Sequence, residues 1–147
     1  MSNWIPYDEY VAIYTRVPRL TVEILSQTKD GVLLVERAIQ PGIGNWHLPG
    51  GAILFNESIE EALVRIADRE LGQKITIQEL VGINQWVNTE SVLGHDVSLV
   101  YRCHLEDDQI TLDEGGRSWK RFDTLPEPTF PEYKKFFADF PNFLKVA

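Results

Sequence analysis

An α+β fold, a mixed β-sheet flanked by helices, is the class that this 147-residue sequence predicts. The stretch LTVEILSQTKDGVLLVER places two β-rich runs around Asp30-Gly31, which is typical of a β-hairpin. Residues 58–71 carry apolar side chains at helical spacing, which indicates an amphipathic helix. Because strands and helices do not alternate regularly along the chain, a parallel βαβ sheet is not expected.

The other elements follow in chain order. YDEYVAIYTRVP (7–18) has apolar residues at helical spacing and ends against a proline, so it predicts a short leading helix. AIQPGIGNWHLPGG (38–51) is rich in Gly and Pro and predicts a loop. Residues 74–87 and 97–105 predict two strands, the first with a bulge near Gly82. SWKRF (118–122) predicts a short strand and PEYKKFFADF (131–140) a closing helix.

Composition limits the possible functions. The chain is long enough for one domain, which we expect to span residues 1–147. The formal net charge of −8 and the scattered basic residues argue against binding to nucleic acid or to a membrane surface. Cys103 is the only cysteine, so no intrachain disulfide or thiolate metal cluster is expected. The absence of a leader-like or membrane-spanning apolar run favours a cytoplasmic protein.

The most informative stretch follows Trp46 and the segment LPGG. It reads G-x5-E-x7-R-x4-E-x-G, with residues Gly51, Glu57, Arg65, Glu70 and Gly72. This pattern resembles the Nudix box, and the chain resembles a Nudix hydrolase. Members of that family cleave nucleoside diphosphates linked to another group, usually with magnesium. The resemblance implies a Nudix-type mixed sheet between helices.

Two of the three helix glutamates of the full box are missing, because their positions hold Ile66 and Arg69. The chain is in this respect similar to the GDP-mannose mannosyl hydrolase subgroup, whose shortened box keeps the glutamate matching Glu70. That resemblance implies Mg²⁺, with Mn²⁺ as a substitute, bound by Glu70, by the main-chain carbonyl of Gly50 and by a side chain from a later loop.

Helix periodicity supports an inward position for Glu70. Ile66 continues the apolar stripe of the helix, and Glu70 lies four residues further on the same stripe. A charge there is costly unless a cation or hydrogen bonds compensate it, which suggests a metal ligand or a paired structural acid. A glutamate in a fraying, partly solvated last turn is the alternative.

The charged residues earlier on the helix have simpler roles. The resemblance implies that Glu57 and Arg65 form a structural ion pair. The sequence also allows Arg65 to pair with Glu61, four residues before it. Arg69 continues the same face, so we expect it in solvent.

Substrate contacts are expected from Arg37 and Trp46. Arg37 ends the second strand, where a guanidinium fork could hold a diphosphate, although a solvated strand end is the alternative. Trp46 is expected to contact the substrate. Trp86, Trp119 and Tyr101 are further aromatic residues that could stack on a nucleobase, and at most one aromatic platform is expected.

The catalytic base is expected in the loop DEGGRSW, where the subgroup has a glutamine and a histidine. This loop has no histidine, so Glu114 is the candidate metal ligand or base, and an acidic solvated loop is the alternative. His47, His95 and His104 are expected to be structural, with His95 in a loop.

The hypothesis is therefore a Mg²⁺-dependent hydrolase of a nucleoside diphosphate derivative, most plausibly a nucleotide sugar. Its partner would be that small molecule, and a homodimer is compatible with the sequence. The rival hypothesis is a ligand-sensing or scaffold domain that keeps the fold but has lost turnover. Ile66 and Arg69 favour the rival, whereas Glu70 and the intact glycines favour the enzyme.

Overall fold

The structure, a computed structural model, describes residues 4–89, 91 and 93–147. It contains eleven elements in these residues, in the order α1 (Tyr7–Tyr14), β1 (Arg19–Leu25), β2 (Gln27–Thr28), β3 (Gly31–Arg37), β4 (Trp46–His47), β5 (Gly50–Ala52), α2 (Ile59–Leu71), β6 (Ile75–Val87), β7 (His95–Leu105), β8 (Gly116–Phe122) and α3 (Pro131–Ala138). The predicted α+β class is confirmed.

The strands form two sheets. The first has the order β5-β1-β7-β6, with β1 and β7 parallel and the other pairs antiparallel. In the second, β3 pairs with β2, β4 and β8, all antiparallel. The first sheet is therefore mixed, as the sequence predicts.

Helices α2 and α3 bury opposite faces of β1. Val22 and Ile24 pack in one core cluster with the apolar side of α2. Leu25 packs in another with Val100 and the aromatic residues of α3, including Phe137. A strand covered on both faces has no solvent side, so even Glu23 is only 6% exposed.

The predicted hairpin is partly corrected. Strand β3 pairs with the two-residue β2 around Asp30-Gly31, whereas β1 belongs to the other sheet. The chain changes sheet at Ser26, whose carbonyl accepts a hydrogen bond from Leu33 N at 3.0 Å. The single β-rich run before the turn therefore serves two sheets. Leu20, near the start of β1, is half exposed.

Two further expectations need correction. The segment 38–51, predicted as a loop, contains the short strands β4 and β5, because its backbone pairs with β3 and β1. His95 begins strand β7 rather than lying in a loop. The bulge predicted near Gly82 is confirmed, since the β6–β7 register shifts between Leu80 and Gly82.

Helix α2 begins and ends as its sequence predicts. Ser58 Oγ accepts a hydrogen bond from Glu61 N at 3.1 Å, and Ser58 N donates to Glu61 Oε2 at 2.8 Å, which completes a capping box. The helix ends at Gly72, whose φ of 61° is the left-handed conformation that glycine adopts without strain. These two signals fix which turn of the helix carries each box residue.

Replacing Ser58 by Ala should lower the free energy of unfolding by about 1 kcal/mol, because the Glu61 amide loses its cap. Urea denaturation measures the change. Glu60→Gln, in the same turn but outside the capping box, is the matched control and should shift the value by less than about 0.5 kcal/mol. Equal effects of the two substitutions would contradict the role of the cap.

Candidate active site

A cleft of about 880 Å³ opens between the end of α2, strand β1, the segment 45–51 and the loop before β8. Its lining includes residues from every element that the sequence implicates in chemistry, among them Arg37, His47, Gly50, Gly51, Glu70 and Glu114. The volume lies within the range of pockets that enclose a small organic ligand. This cleft is the candidate active site.

One ion pair attaches the loop after β5 to helix α2. Arg65 donates from Nε to Glu57 Oε2 at 2.7 Å and from Nη2 to Glu57 Oε1 at 3.0 Å. Its Nη2 also donates to the Ala52 carbonyl at 2.8 Å, and Leu54 N donates to Glu57. The structure therefore contains the Glu57–Arg65 pair, and Glu61 serves the helix cap instead of Arg65.

Glu70 lies half-buried in the cleft at the end of α2. Burial, with a smaller contribution from the nearby charge of Asp113, raises the pKa of its carboxyl group to about 7. A backbone hydrogen bond from Gly50 and the charges of Arg69 and Arg37 act in the opposite direction. The inward position expected from the helix stripe is thus observed, because Ile66, one turn earlier, is fully buried.

The loop acid beside Glu70 is Asp113 rather than Glu114. Asp113 acts electrostatically on both Glu70 and His47, and its side chain is 20% exposed. The Glu114 side chain is 81% exposed at the rim, with Oε1 4.0 Å from Arg69 Nη2. Glu114, expected as metal ligand or base, lines the cleft at this rim position, and that role stays a prediction. Its neighbour Asp113 acts on Glu70 and accepts a hydrogen bond from Gly115 N at 3.1 Å, which makes Asp113 a second candidate for the loop acid.

Arg37 lines the same end of the cleft. Its Nε donates to the Pro41 carbonyl at 2.6 Å, so the loop after β3 fixes one edge of the guanidinium. Burial lowers the pKa of Arg37, and the charge of Glu70 partly offsets this effect. The side chain is therefore not a free strand end in solvent.

The backbone N–H and the backbone carbonyl of Leu48 are both hydrogen-bonded. Leu48 N donates to the Tyr133 hydroxyl at 3.1 Å, and that hydroxyl donates to Glu23 Oε2 at 2.8 Å. The Leu48 carbonyl lies 2.7 Å from His47 Nδ1, so this nitrogen carries the proton. Burial raises the pKa of Glu23 to about 7 and lowers that of His47 to about 4. This network orients the backbone that continues into Gly50.

Trp46 is not among the residues that line the cleft, and its expected contact with the substrate stays a prediction. Its ring packs edge-on against Phe122 at 4.9 Å between centroids, within the core. Trp119 and Tyr101 also pack in core clusters. Trp86 is the tryptophan that lines the cleft, where it packs edge-on against Tyr133 at 5.1 Å.

Arg69 is exposed to solvent, as expected. It also lines the cleft, which the sequence did not predict. Its Nε lies 3.8 Å from Asp113 Oδ2, and its Cζ lies 5.5 Å from the centroid of the Trp4 ring. The last turn of α2 therefore directs two charged side chains of opposite sign, Arg69 and Glu70, at one end of the cleft.

The residues at this end are compatible with a magnesium ion. Within residues 4–89, 91 and 93–147, no group of three or more His, Cys, Asp or Glu side chains is placed to hold a metal ion by itself. Mg²⁺ needs fewer, since it keeps several waters and takes one or two carboxylates plus substrate phosphates. The raised pKa of Glu70 beside Asp113 indicates carboxylates that a cation would stabilise. Glu70, Asp113 and the Gly50 carbonyl are the donors that fit.

Sequence reasoning missed Glu23 and Asp113. Glu23 stands between Val22 and Ile24 in a strand, and a single acid in such a run is a signal only if the strand is known to be covered on both faces. Asp113 is adjacent to Glu114, and the direction of each side chain depends on the turn. The burial of Glu23 and the direction of the Asp113 side chain cannot be deduced from the spacing of charged residues in the sequence.

Comparison with known proteins agrees with the fold. The family model described as "NUDIX domain" matches residues 16–140. The low-salt glycan biosynthesis protein Agl8 of Haloferax volcanii is 33% identical over 137 residues, which are 90% of this chain and 88% of that protein. An ADP-ribose pyrophosphatase of Methanocaldococcus jannaschii is 26% identical over 125 residues, 84% of this chain and 73% of that protein.

Solved structures show the same architecture. The MutT protein of Methanosarcina mazei superposes with a TM-score of 0.74 at 20% identity, covering 85% of this chain and 94% of that one. The chain therefore belongs to the Nudix family. It is a Nudix hydrolase, of the class that cleaves nucleoside diphosphates linked to another group. In the part of the chain that the structure describes, every helix is too short or too polar to span a membrane.

The buried state of Glu70 predicts a pH dependence of stability in the metal-free protein. Its folded-state pKa of about 7 exceeds the ordinary value of 4.5, so its contribution is fully present below pH 4.5 and is lost as the pH rises through 7. Glu70→Gln removes this loss. The stability of the variant relative to wild type should increase by up to roughly 3 kcal/mol between pH 4.5 and pH 8.

Urea denaturation in EDTA across this range measures the difference. The comparison with the variant is needed because His47, with a pKa lowered by burial to about 4, contributes the opposite slope to the wild type. A difference that does not change with pH would show that Glu70 titrates normally.

Proposed function

We propose that this protein is a Mg²⁺-dependent hydrolase of a nucleotide sugar. The observation that carries the proposal is the inward Glu70 beside Asp113 at the end of the cleft that Arg37 also lines. Two carboxylates and one arginine in a partly water-excluded site suit a metal ion and a diphosphate bound side by side. Mn²⁺ has similar ligand preferences and is a plausible substitute.

The sugar part of the proposal is supported by the relatives. One similar protein is named for glycan biosynthesis and another for the hydrolysis of ADP-ribose, in which a sugar is linked to a nucleoside diphosphate. The cleft of about 880 Å³ extends past the acidic end to Trp86 and to Asp96, which leaves room for groups on both sides of a diphosphate.

Each residue at the acidic end has a separate task in this proposal. Arg37 binds the diphosphate with the guanidinium edge that Pro41 leaves free. Glu70 and Asp113, with the Gly50 carbonyl, hold the metal ion. When bound, Mg²⁺ offsets negative charge on the diphosphate and lowers the pKa of a coordinated water. The Glu57–Arg65 pair takes no part in the reaction. It holds the segment that carries Gly50 and Gly51 next to Glu70.

A panel assay tests the proposal. Nucleoside diphosphate sugars, ADP-ribose and nucleoside triphosphates are incubated with the protein with and without Mg²⁺, and the products are separated by chromatography. The proposal expects Mg²⁺-dependent turnover of nucleotide sugars in preference to triphosphates. Turnover only of triphosphates would refute the substrate class. Ligands that raise the melting temperature without any turnover would favour the sensing or scaffold function instead.

The two inward acids should be essential and the rim acid dispensable. Glu70→Gln and Asp113→Asn should each lower Mg²⁺-dependent kcat by about 100-fold or more, since each removes an anionic ligand and keeps the side-chain size. Glu114→Gln is the matched control, because its side chain is exposed at the rim, and it should stay within about threefold of wild type.

Steady-state kinetics on the best substrate of the panel provide the measurement, with circular dichroism to verify folding. A loss of activity in Glu114→Gln with wild-type activity in Asp113→Asn would reverse the assignment of the loop acid.

A further inference from the structure

A diphosphate needs cations, and the cleft offers few. Acidic residues dominate its lining: Glu23, Glu70, Asp96, Asp113, Glu114 and Glu132. Among the described residues, the lining contains no lysine, and its cations are three arginines, Arg19, Arg37 and Arg69. Because the whole chain also carries a net charge of −8, an anionic ligand depends on these three side chains.

Arg19 is already engaged. Its Nε and Nη2 donate to the two carboxylate oxygens of Asp96, each at 2.8 Å, and its Nη1 donates to the Tyr10 hydroxyl at 2.9 Å. A bidentate pair of this kind neutralises the charge of the guanidinium and also occupies two of its N–H donors. Binding a phosphate with Arg19 would first require this pair to break.

Arg37 and Arg69 are not engaged in a bidentate ion pair, and both line the cleft near the same carboxylate. Both guanidinium groups act on the charge of Glu70. The Arg37 guanidinium donates to the carbonyls of Pro41 at 2.6 Å and of Gln40 at 3.5 Å, which occupy two of its donors. It alone offers little charge to a group that carries two or more negative charges.

Arg69 is held only loosely. Its nearest carboxylate oxygens are 3.8 Å away on Asp113 and 4.0 Å away on Glu114, both beyond hydrogen-bond length. The Trp4 ring, 5.5 Å from Cζ, supports one face of the guanidinium without using its donors. The side chain can therefore exchange these distant acids for a phosphate without losing a strong bond.

We propose that Arg69 is a second diphosphate-binding arginine, which holds the phosphoryl groups together with Arg37. This inference rests on the proposed function for the identity of the anion, a nucleoside diphosphate group. The Nudix box has a glutamate at this position, so the replacement turns part of the acidic end of α2 into an anion-binding surface. The replacement of the box glutamate by Arg69 then changes what this position binds, from a cation to a phosphate group, and does not abolish the site.

Binding without metal tests Arg69 directly, because Mg²⁺ and turnover do not enter the measurement. ADP, GDP and inorganic pyrophosphate are titrated into the protein in EDTA by isothermal calorimetry. Arg69→Gln should weaken binding of the diphosphates by roughly tenfold, since a charge-assisted pair is lost. Arg69→Lys should be intermediate because a point charge cannot reproduce the fork. Adenosine and guanosine, which lack phosphate, should bind the variants as they bind wild type.

The chain offers a closely matched control in Arg102. Its Nη1 lies 3.8 Å from Glu79 Oε1 and its Cζ 5.8 Å from the Phe143 ring, which resembles the setting of Arg69, but Arg102 does not line the cleft. Arg102→Gln should leave diphosphate binding unchanged. Arg69→Glu restores the acid of the family box and should bind diphosphates still more weakly than Arg69→Gln.

Two results would overturn the inference. One is wild-type diphosphate affinity in Arg69→Gln, and the other is the absence of binding of all three probes to the wild type. Failure of the substrate proposal is a separate outcome. If nucleotide sugars are not hydrolysed but Arg69→Gln still weakens diphosphate binding, the role of Arg69 stands and only the proposed substrate is wrong.

Discussion

The site depends on the guanidinium of Arg65, which joins three parts of the chain by hydrogen bonds. It holds Glu57 in the loop, the Ala52 carbonyl at the end of β5 and its own helix α2 in one hydrogen-bonded unit. The pair is partly buried, so water screens it less than a surface ion pair. With the loop fixed in this way, Gly50 lies within hydrogen-bond reach of Glu70.

The features of the fold and of the site that could be predicted from the sequence are those determined by residues close together in the chain. Helix α2 could be predicted to within one residue, because its cap at Ser58 and its end at Gly72 are local signals. The inward position of Glu70 followed from periodicity alone. The Glu57–Arg65 pair needed the family resemblance to be preferred over Glu61, since eight-residue and four-residue spacings both fit the sequence.

What the sequence could not predict depends on contacts between distant segments. Glu23 is buried only because α3, more than 100 residues later, brings Tyr133 to its carboxylate at 2.8 Å. Asp113 and Glu114 differ in direction because of one turn. Trp46 and Trp86 both fit an aromatic platform by composition, and only the packing of Phe122 and Tyr133 separates them. Tertiary contacts of this kind produce no periodic pattern in the amino-acid sequence.

The glutamates in and beside the cleft fall into two electrostatic classes. Glu57, next to the cleft, pairs with an arginine, which lowers the pKa of its carboxyl group, whereas burial raises the pKa of Glu23 and of Glu70 in the cleft to about 7. Glu57 therefore has a lower affinity for protons than Glu23 and Glu70. A lowered pKa suits a carboxylate that stays charged in an ion pair, whereas a raised pKa marks carboxylates whose charge burial disfavours.

Helix α1 has a consequence for the other end of the cleft. None of its residues is buried, and Tyr10 connects it to Arg19 through one hydrogen bond. Elements with so little buried surface open locally at a small fraction of the free energy of global unfolding. Arg19 and Asp96 lie at this end of the cleft. Local opening of α1 would therefore remove one hydrogen-bond partner of the Arg19 guanidinium and leave its bidentate pair with Asp96 in place.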